Sequence, residues 1–151
     1  MIFALVLGIA QDGGHPQVGC AKGCCAPGTA VHLPASLGLV DGSSRWLVDA
    51  TPAFPEQLRR LDAAAPRTTG PPVDGILLTH AHVGHYAGLV NLGREILGTA
   101  DVPVYAMPRM AGFLRDNGPW SLLVKLGNIA VRPVTAGEPV RLSENLTATP
   151  T

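Results

Sequence analysis

The order of the apolar segments is the feature that most constrains the fold of this chain. Segments that predict strands come first, and strands and helices then alternate. The predicted strands are Ile2–Ala10, Val31–Val40, Arg45–Asp49, Asp74–Thr79, Val102–Ala106, Ile129–Val134, Pro139–Leu142 and Leu146–Ala148, and the predicted helices are Pro52–Leu61, Tyr86–Leu97 and Pro108–Asn117. Asp41–Ser44 predicts a hairpin, and the nearly continuous apolar run Ile2–Ala10 predicts a strand buried on both faces. This order predicts a mixed sheet covered by helices, in an α/β (α+β layered) architecture.

Composition indicates one globular domain over residues 1–151. The chain is 46% hydrophobic and 15% charged, which excludes a disordered chain. Eleven basic and eleven acidic residues balance, and only 5% of residues are aromatic, so neither nucleic acid nor an anionic membrane is an expected partner. Met1–Ala10 lacks the basic segment of a signal peptide, and no apolar stretch approaches the ~20 residues of a membrane helix. We therefore expect a soluble, cytoplasmic protein that acts on a small-molecule substrate.

Three of the five histidines lie within six residues, directly after a predicted apolar strand. The segment reads Thr79-His80-Ala81-His82-Val83-Gly84-His85. Imidazole is a favoured ligand of zinc and iron, and catalytic zinc sites commonly use three protein ligands and a water. The alternative is a histidine-rich surface turn without function. Because ligands of open α/β sheets bind at the carboxyl ends of strands, the spacing favours a metal site formed by His80, His82 and His85.

All three cysteines, Cys20, Cys24 and Cys25, lie within six positions. An odd number in one cluster is a poor disulfide framework, and adjacent cysteines pair only with strain. Metal binding and unligated, partly buried thiols are the two remaining interpretations. The preceding Asp12-Gly13-Gly14 is interpreted as a turn rather than a phosphate-binding loop, since no P-loop pattern follows it.

The histidine segment resembles the motif of the metallo-β-lactamase superfamily, His-x-His-x-Asp-His after a strand. Three further segments resemble the branch that contains the pyrroloquinoline-quinone biosynthesis B protein and the cyclic phosphodiesterase of phosphonate breakdown. These segments are Leu7–Cys25, Trp46–Pro52 and Leu146–Pro150. The resemblance implies an αββα sandwich of which this chain forms the N-terminal half, incomplete at its C-terminus. It also implies that the missing half, or a second copy of the chain, packs against it.

The resemblance implies roles for individual residues. His80 and His82 match two ligands of the first metal site, and His85 matches a ligand of the second. Asp49 matches a position that hydrogen-bonds the metal loop, and a structural capping role is the alternative. The three cysteines match a structural zinc cluster, whose fourth ligand would be nearby His15 or a late histidine, as in relatives.

Two departures from the family pattern bear on the metal. Gly84 stands where the family has the aspartate that ligates the second metal, and a glycine has no side chain to donate. No histidine follows His85, so the later ligands of the family are missing. These departures favour a single-metal site, or one rearranged around His85.

The leading hypothesis is a metal-dependent hydrolase, with phosphodiesters as the first substrate class to test. Zinc is the expected ion in both sites, and iron or manganese is the alternative in the histidine site. One alternative function is metal-dependent oxidation, as in the quinone-cofactor biosynthesis relatives. Another is a non-catalytic zinc-binding fragment that needs a partner half.

Overall fold

The computed structural model describes residues 1–151, and its centre is a six-stranded mixed sheet. The strands lie in the sheet in chain order. They are β1 Ile2–Gly8, β2 Ser36–Asp41, β3 Ser44–Val48, β4 Gly75–Leu77, β5 Val102–Ala106 and β6 Ile129–Pro133. β1, β2 and β3 are antiparallel neighbours, whereas β3 to β6 run parallel to one another. The predicted mixed sheet is therefore confirmed.

Helical segments make the crossovers that the parallel strands require. These are α1 Phe54–Ala64, a 3-10 helix at Ala87–Leu92, α2 Pro108–Asp116 and α3 Trp120–Lys125. No helix in the structure has both the length and the apolar character needed to cross a membrane.

The main core lies between the helices and one face of the sheet. Leu47, Ile76, Val104 and Val131 pair in register across four strands, and all four are buried. They belong to a cluster of 22 buried residues that includes Phe54 of α1. This core fixes the carboxyl ends of β3 and β4, from which the candidate site extends.

The other face of the sheet is only half-buried. Its apolar side chains include Leu39, Val48, Leu77 and Tyr105. A small hairpin of β7 Val140–Arg141 and β8 Thr147–Ala148 flanks a cavity of about 320 Å³ on this face. One layer of helices and one large sheet are thus present, with a two-stranded sheet beside the second face.

Two predicted strands differ most from the structure, and the others, except β5, differ by one or two residues in their bounds. β1 is an edge strand rather than one buried on both faces, and Ile2 and Val6 are 52% and 60% exposed. β2 begins at Ser36, because the segment before it forms only isolated bridges, His15 with His32 and Ala10 with Pro34. Apolar content alone did not distinguish a covered strand from an edge strand.

The predicted helices also differ in type and bounds. Tyr86–Leu97 contains a 3-10 helix at Ala87–Leu92 instead of an α-helix. The Gly88 amide donates to the Ala50 carbonyl at 2.8 Å, so it is not available for an α-helical bond within the segment. α1 begins at Phe54 rather than Pro52, and its N-cap is Ala53 rather than Thr51. The short helix α3 was not predicted.

Candidate metal centre

The three histidines after β4 lie together. The ring centroids of His80 and His82 are 4.6 Å apart, and those of His80 and His85 are 4.0 Å apart. His85 ends a 3-10 helix that begins at Val83, and this single turn brings its ring back towards His80. Spacing in the sequence therefore corresponds to proximity in space.

Two of the ring nitrogens face each other at a distance that suits metal ligands. His80 Nε2 lies 3.0 Å from His82 Nδ1, and both side chains are exposed. Two nitrogen ligands on one tetrahedral ion, with bonds of about 2.0–2.1 Å, are separated by roughly 3.3 Å. The two nitrogens, at hydrogen-bonding distance in the structure, offer the donor chemistry of a zinc site at slightly less than the spacing of two zinc ligands.

Asp49 connects the end of β3 to this loop. Its buried carboxylate accepts hydrogen bonds from the Thr79 amide at 2.8 Å, the Thr79 hydroxyl at 2.8 Å and His85 Nδ1 at 2.7 Å. The Asp49 backbone has a φ of 66°, a left-handed conformation that aspartate adopts more readily than most residues. This conformation accompanies the turn of the chain out of β3 towards α1.

The same contacts determine which ring nitrogen carries the proton in His80 and in His85. A carboxylate only accepts hydrogen bonds, so His85 Nδ1 carries the proton and the neutral ring has a lone pair on Nε2. The Thr79 hydroxyl donates its one hydrogen bond to Asp49, so its oxygen accepts a hydrogen bond from His80 Nδ1 at 2.9 Å. His80 Nε2 is then left with a lone pair as well. Asp49 thus holds His80 and His85 in the tautomers that can ligate a metal.

Asp12 also reaches this centre, which sequence reasoning missed. Its Oδ1 lies 3.2 Å from His85 Nε2. Gly84 is buried against it, and a Cβ built on Gly84 would overlap the Asp12 side chain, lying 2.6 Å from Oδ2. No spacing rule connects positions 12 and 84. Two features of the sequence together could have indicated this contact. Gly84 stands where the family has an aspartate, and Asp12 in the first loop had no assigned role.

The cysteine loop forms a second cluster of possible ligands. His15, Cys24 and Cys25 place one ligand atom each within 4.8 Å of one another. His15 Nδ1 lies 2.9 Å from the Ala30 carbonyl oxygen, so Nδ1 carries the proton and Nε2 is left free. Cys20 is a free, half-buried cysteine outside this group. The structure therefore brings two of the three predicted cysteines to the nearby histidine.

A cleft of about 500 Å³ opens beside His80. Its walls include Tyr86, Met110 and Phe113, and Arg109 also lines it. The Tyr86 and Phe113 rings pack edge to face with centroids 5.6 Å apart. Arg109 is exposed and forms no ion pair. The cleft combines apolar walls with one cation next to the candidate ligands.

The family model of the beta-lactamase superfamily domain matches residues 44–151, which include the histidine loop and the Asp49 position. The chain belongs to the beta-lactamase superfamily. The resemblance to the metallo-β-lactamase superfamily, predicted from the histidine motif, is therefore confirmed.

Curated relatives agree with this assignment. Coenzyme PQQ synthesis protein B of Rhodopseudomonas palustris is 31% identical over 147 residues, covering 92% of this chain and 46% of the relative. The protein of the same name from Ruegeria pomeroyi is 29% identical over 150 residues, covering 95% of this chain and 49% of the relative. The chain thus spans about half the length of these curated relatives.

Solved structures show the same fold. Zinc-bound PqqB from Methylobacterium extorquens superposes with a TM-score of 0.84 at 23% identity, covering 99% of this chain and 55% of that chain. A diphosphatase of the PhnP family gives a TM-score of 0.68 at 26% identity, covering 94% of this chain and 54% of that chain. The metallo-β-lactamase fold is therefore confirmed. This chain corresponds to about half of the chain in each of these two neighbours.

Proposed function

We propose that this chain carries the histidine-rich metal centre of a hydrolase that cleaves phosphodiesters or related phosphoric anhydrides. The observation that carries the proposal is the facing pair of His80 Nε2 and His82 Nδ1 at 3.0 Å. His80 holds its ligand-competent tautomer through Thr79 and Asp49. Zinc is the proposed ion, and manganese or iron is the alternative.

A divalent cation at these histidines would supply Lewis acidity and a water of lowered pKa. The residues of the chain have separate tasks around it. His80 and His82 bind the cation, and Asp49 keeps the protons on the far nitrogens of His80 and His85. The rings of Tyr86 and Phe113 give the cleft an apolar wall.

Arg109 supports a phosphorus-containing substrate. It lies in the cleft with His80 and is not engaged by any carboxylate of the chain. A guanidinium matches the geometry of phosphate oxygens and can bind two of them at once. The likeness to a diphosphatase of the PhnP family, at 26% identity, favours the same substrate class.

Metal-dependent oxidation is the second candidate function. The curated relatives that match most of this chain carry the name coenzyme PQQ synthesis protein B. Stoichiometric iron with substrate-dependent oxygen uptake would support this alternative. Zinc or manganese with phosphodiester turnover would support hydrolysis.

A third candidate is a non-catalytic zinc-binding fragment that needs a partner half. The cluster of His15, Cys24 and Cys25 favours structural zinc in the first loop. A protein that holds zinc only at the cluster of His15, Cys24 and Cys25 and shows no turnover would support this candidate against both enzymes.

The test combines metal content with turnover. We expect the double variant His80→Ala/His82→Ala to lose one equivalent of metal, measured by plasma mass spectrometry, and all hydrolysis of bis(p-nitrophenyl) phosphate. Arg109→Ala should keep its metal and raise KM roughly 10- to 150-fold, because a charge-assisted contact contributes about 1.5–3 kcal/mol. Arg94→Ala is the matched control, since Arg94 is an exposed arginine outside the cleft. Unchanged metal content and turnover in the double variant would refute the proposal.

A further inference from the structure

We propose that Asp12 is a metal ligand, paired with His85, and that it replaces the aspartate that is missing at position 84. The proposal rests on the proposed function, because it assumes that the histidine centre holds a metal. The question is which residue completes that centre. The answer gives a function to the Asp12-Gly13-Gly14 segment, which the sequence predicted only as a turn.

The first argument is the space around Gly84. This glycine is buried, and any Cβ placed on it would overlap the Cβ and Cγ of Asp12. Atoms at such separations do not occur in real structures, so a side chain at position 84 and Asp12 exclude each other on this backbone. The carboxylate of Asp12 therefore occupies the volume in which an aspartate at position 84 would begin. One carboxylate fits there, and it comes from the loop after β1.

The second argument is the lone pairs that face each other. Asp49 accepts a hydrogen bond from His85 Nδ1–H at 2.7 Å, so His85 Nε2 points a lone pair outwards. That nitrogen lies 3.2 Å from Asp12 Oδ1, which also offers only lone pairs when ionised. Two acceptors at this distance repel unless a cation or a proton lies between them. The separation agrees with the roughly 3.3 Å expected for two ligands of one tetrahedral ion.

The third argument is the construction of the loop that carries Asp12. The Gly14 amide donates to the Gln11 carbonyl at 2.8 Å, and this turn sets the position of Asp12. Gly14 has a φ of 71°, which favours glycine. His15 follows directly and belongs to the cysteine cluster. Zinc in that cluster would order the same loop that presents Asp12, so the two clusters are coupled through one segment.

The experiment titrates metal-free protein with Co²⁺ and follows visible absorption. Thiolate-to-cobalt charge-transfer bands report the cysteine cluster, whereas d–d absorption that grows without those bands reports binding at the histidine centre. We expect Asp12→Ala and Asp12→Asn to bind Co²⁺ at the histidine centre at least ~10-fold more weakly. Asp116→Asn is the matched control, because Asp116 is an exposed aspartate in the last turn of α2.

Moving the carboxylate from position 12 to position 84 distinguishes metal ligation by Asp12 from a merely structural role. Asp12→Gly should lose affinity, and Asp12→Gly/Gly84→Asp should recover most of it, because the removed side chain makes room for the new one. Gly84→Asp alone should lower the thermal stability of the metal-free protein through the overlap with Asp12.

The outcomes separate this proposal from the proposed function. If Asp12→Ala binds Co²⁺ as the wild type does while His80→Ala/His82→Ala does not, the Asp12 assignment is wrong and the metal centre stands. If both bind as the wild type does, the metal centre itself is wrong. If Asp12→Gly loses affinity and Gly84→Asp does not restore it, Asp12 acts through the loop structure, and its assignment as a ligand is overturned.

Discussion

At the scale of single residues, Asp49 illustrates how one side chain can determine the chemistry of several others. It accepts hydrogen bonds from the Thr79 amide, the Thr79 hydroxyl and His85 Nδ1. Mutation of a group that orients a histidine ligand in this way typically lowers metal affinity by about 10- to 100-fold. Under the proposed assignment, Asp49 influences metal binding without being a ligand.

We expect Asp49→Asn to weaken metal binding at the histidine centre by ~10- to 100-fold. An asparagine can oppose His85 Nδ1–H with an NH₂ group, which favours the other tautomer and moves the proton onto the ligating nitrogen. Isothermal titration with Zn²⁺ measures this loss. Asp74→Asn is the matched control, because Asp74 also accepts hydrogen bonds, from the Arg45 amide at 2.7 Å and Arg67 at 2.6 Å, away from the centre. Equal Zn²⁺ affinity in the Asp49 variant and the wild type would show that Asp49 serves only the fold.

The residues of the centre were predictable to different degrees. His80, His82 and His85 are adjacent in sequence, so their motif could be recognised directly. Asp12 lies far from them along the chain, and only the fold of the first loop places it near Gly84. A contact between residues so far apart leaves no periodic pattern in the sequence. An aspartate in a Gly-rich turn is also common for purely structural reasons, so Asp12 did not stand out.

At the scale of elements, segments whose local pattern decides the structure were predicted best, and the predicted helix Pro108–Asn117 differs from α2 by one residue. Val102–Ala106 was predicted with the bounds that β5 has in the structure, because apolar residues alternate between two well-defined faces. The 3-10 helix at Ala87–Leu92 was predicted as an α-helix, because its side chains have similar spacing. Its type depends on the tertiary hydrogen bond between Gly88 and Ala50, which the sequence does not indicate.

The small hairpin β7–β8 is attached to the main sheet through Asp41, and this attachment should depend on pH. Hydrogen bonds from the Ser143 hydroxyl and from Asn145 lower the pKa of Asp41 below its ordinary value of 3.8. A carboxyl whose pKa is lowered in the folded state stabilises that state above its unfolded pKa. The stabilisation is lost as the pH falls through the lower, folded value.

We therefore expect the Asn145 backbone amide resonance to titrate with an apparent pKa below 3.8, since this amide donates to Asp41 Oδ2 at 3.1 Å. In Asp41→Asn this titration should disappear, and the hairpin should be cleaved faster in limited proteolysis. Glu144→Gln is the matched control, because Glu144 is an exposed neighbour whose carboxylate accepts no hydrogen bond in the structure. A titration that persists in Asp41→Asn would assign it to another group.

At the scale of the whole molecule, the half-buried face of the sheet distinguishes this chain from a closed layered domain. Leu37, Leu39 and Val48 share this face with Leu77 and Tyr105, whereas the opposite face is covered by helices. The chain spans 55% of PqqB and 54% of the PhnP-family diphosphatase, the neighbours that share its fold. We propose that a second sheet, from further chain or from another copy, covers this face.

Residues 1–151 expressed alone should consequently associate through this face, because burying apolar surface yields about 25 cal/mol per Å². Light scattering coupled to size-exclusion chromatography measures the association. Leu37→Lys should shift the chain towards monomer, since Leu37 is 37% exposed on this face and a buried lysine would be costly. Leu122→Lys is the matched control: Leu122 is 55% exposed on α3, on the helical side, so its replacement should leave the association unchanged. A wild-type monomer that folds cooperatively and binds metal at both clusters would contradict the proposal, because the face would then be stable in water without a covering layer.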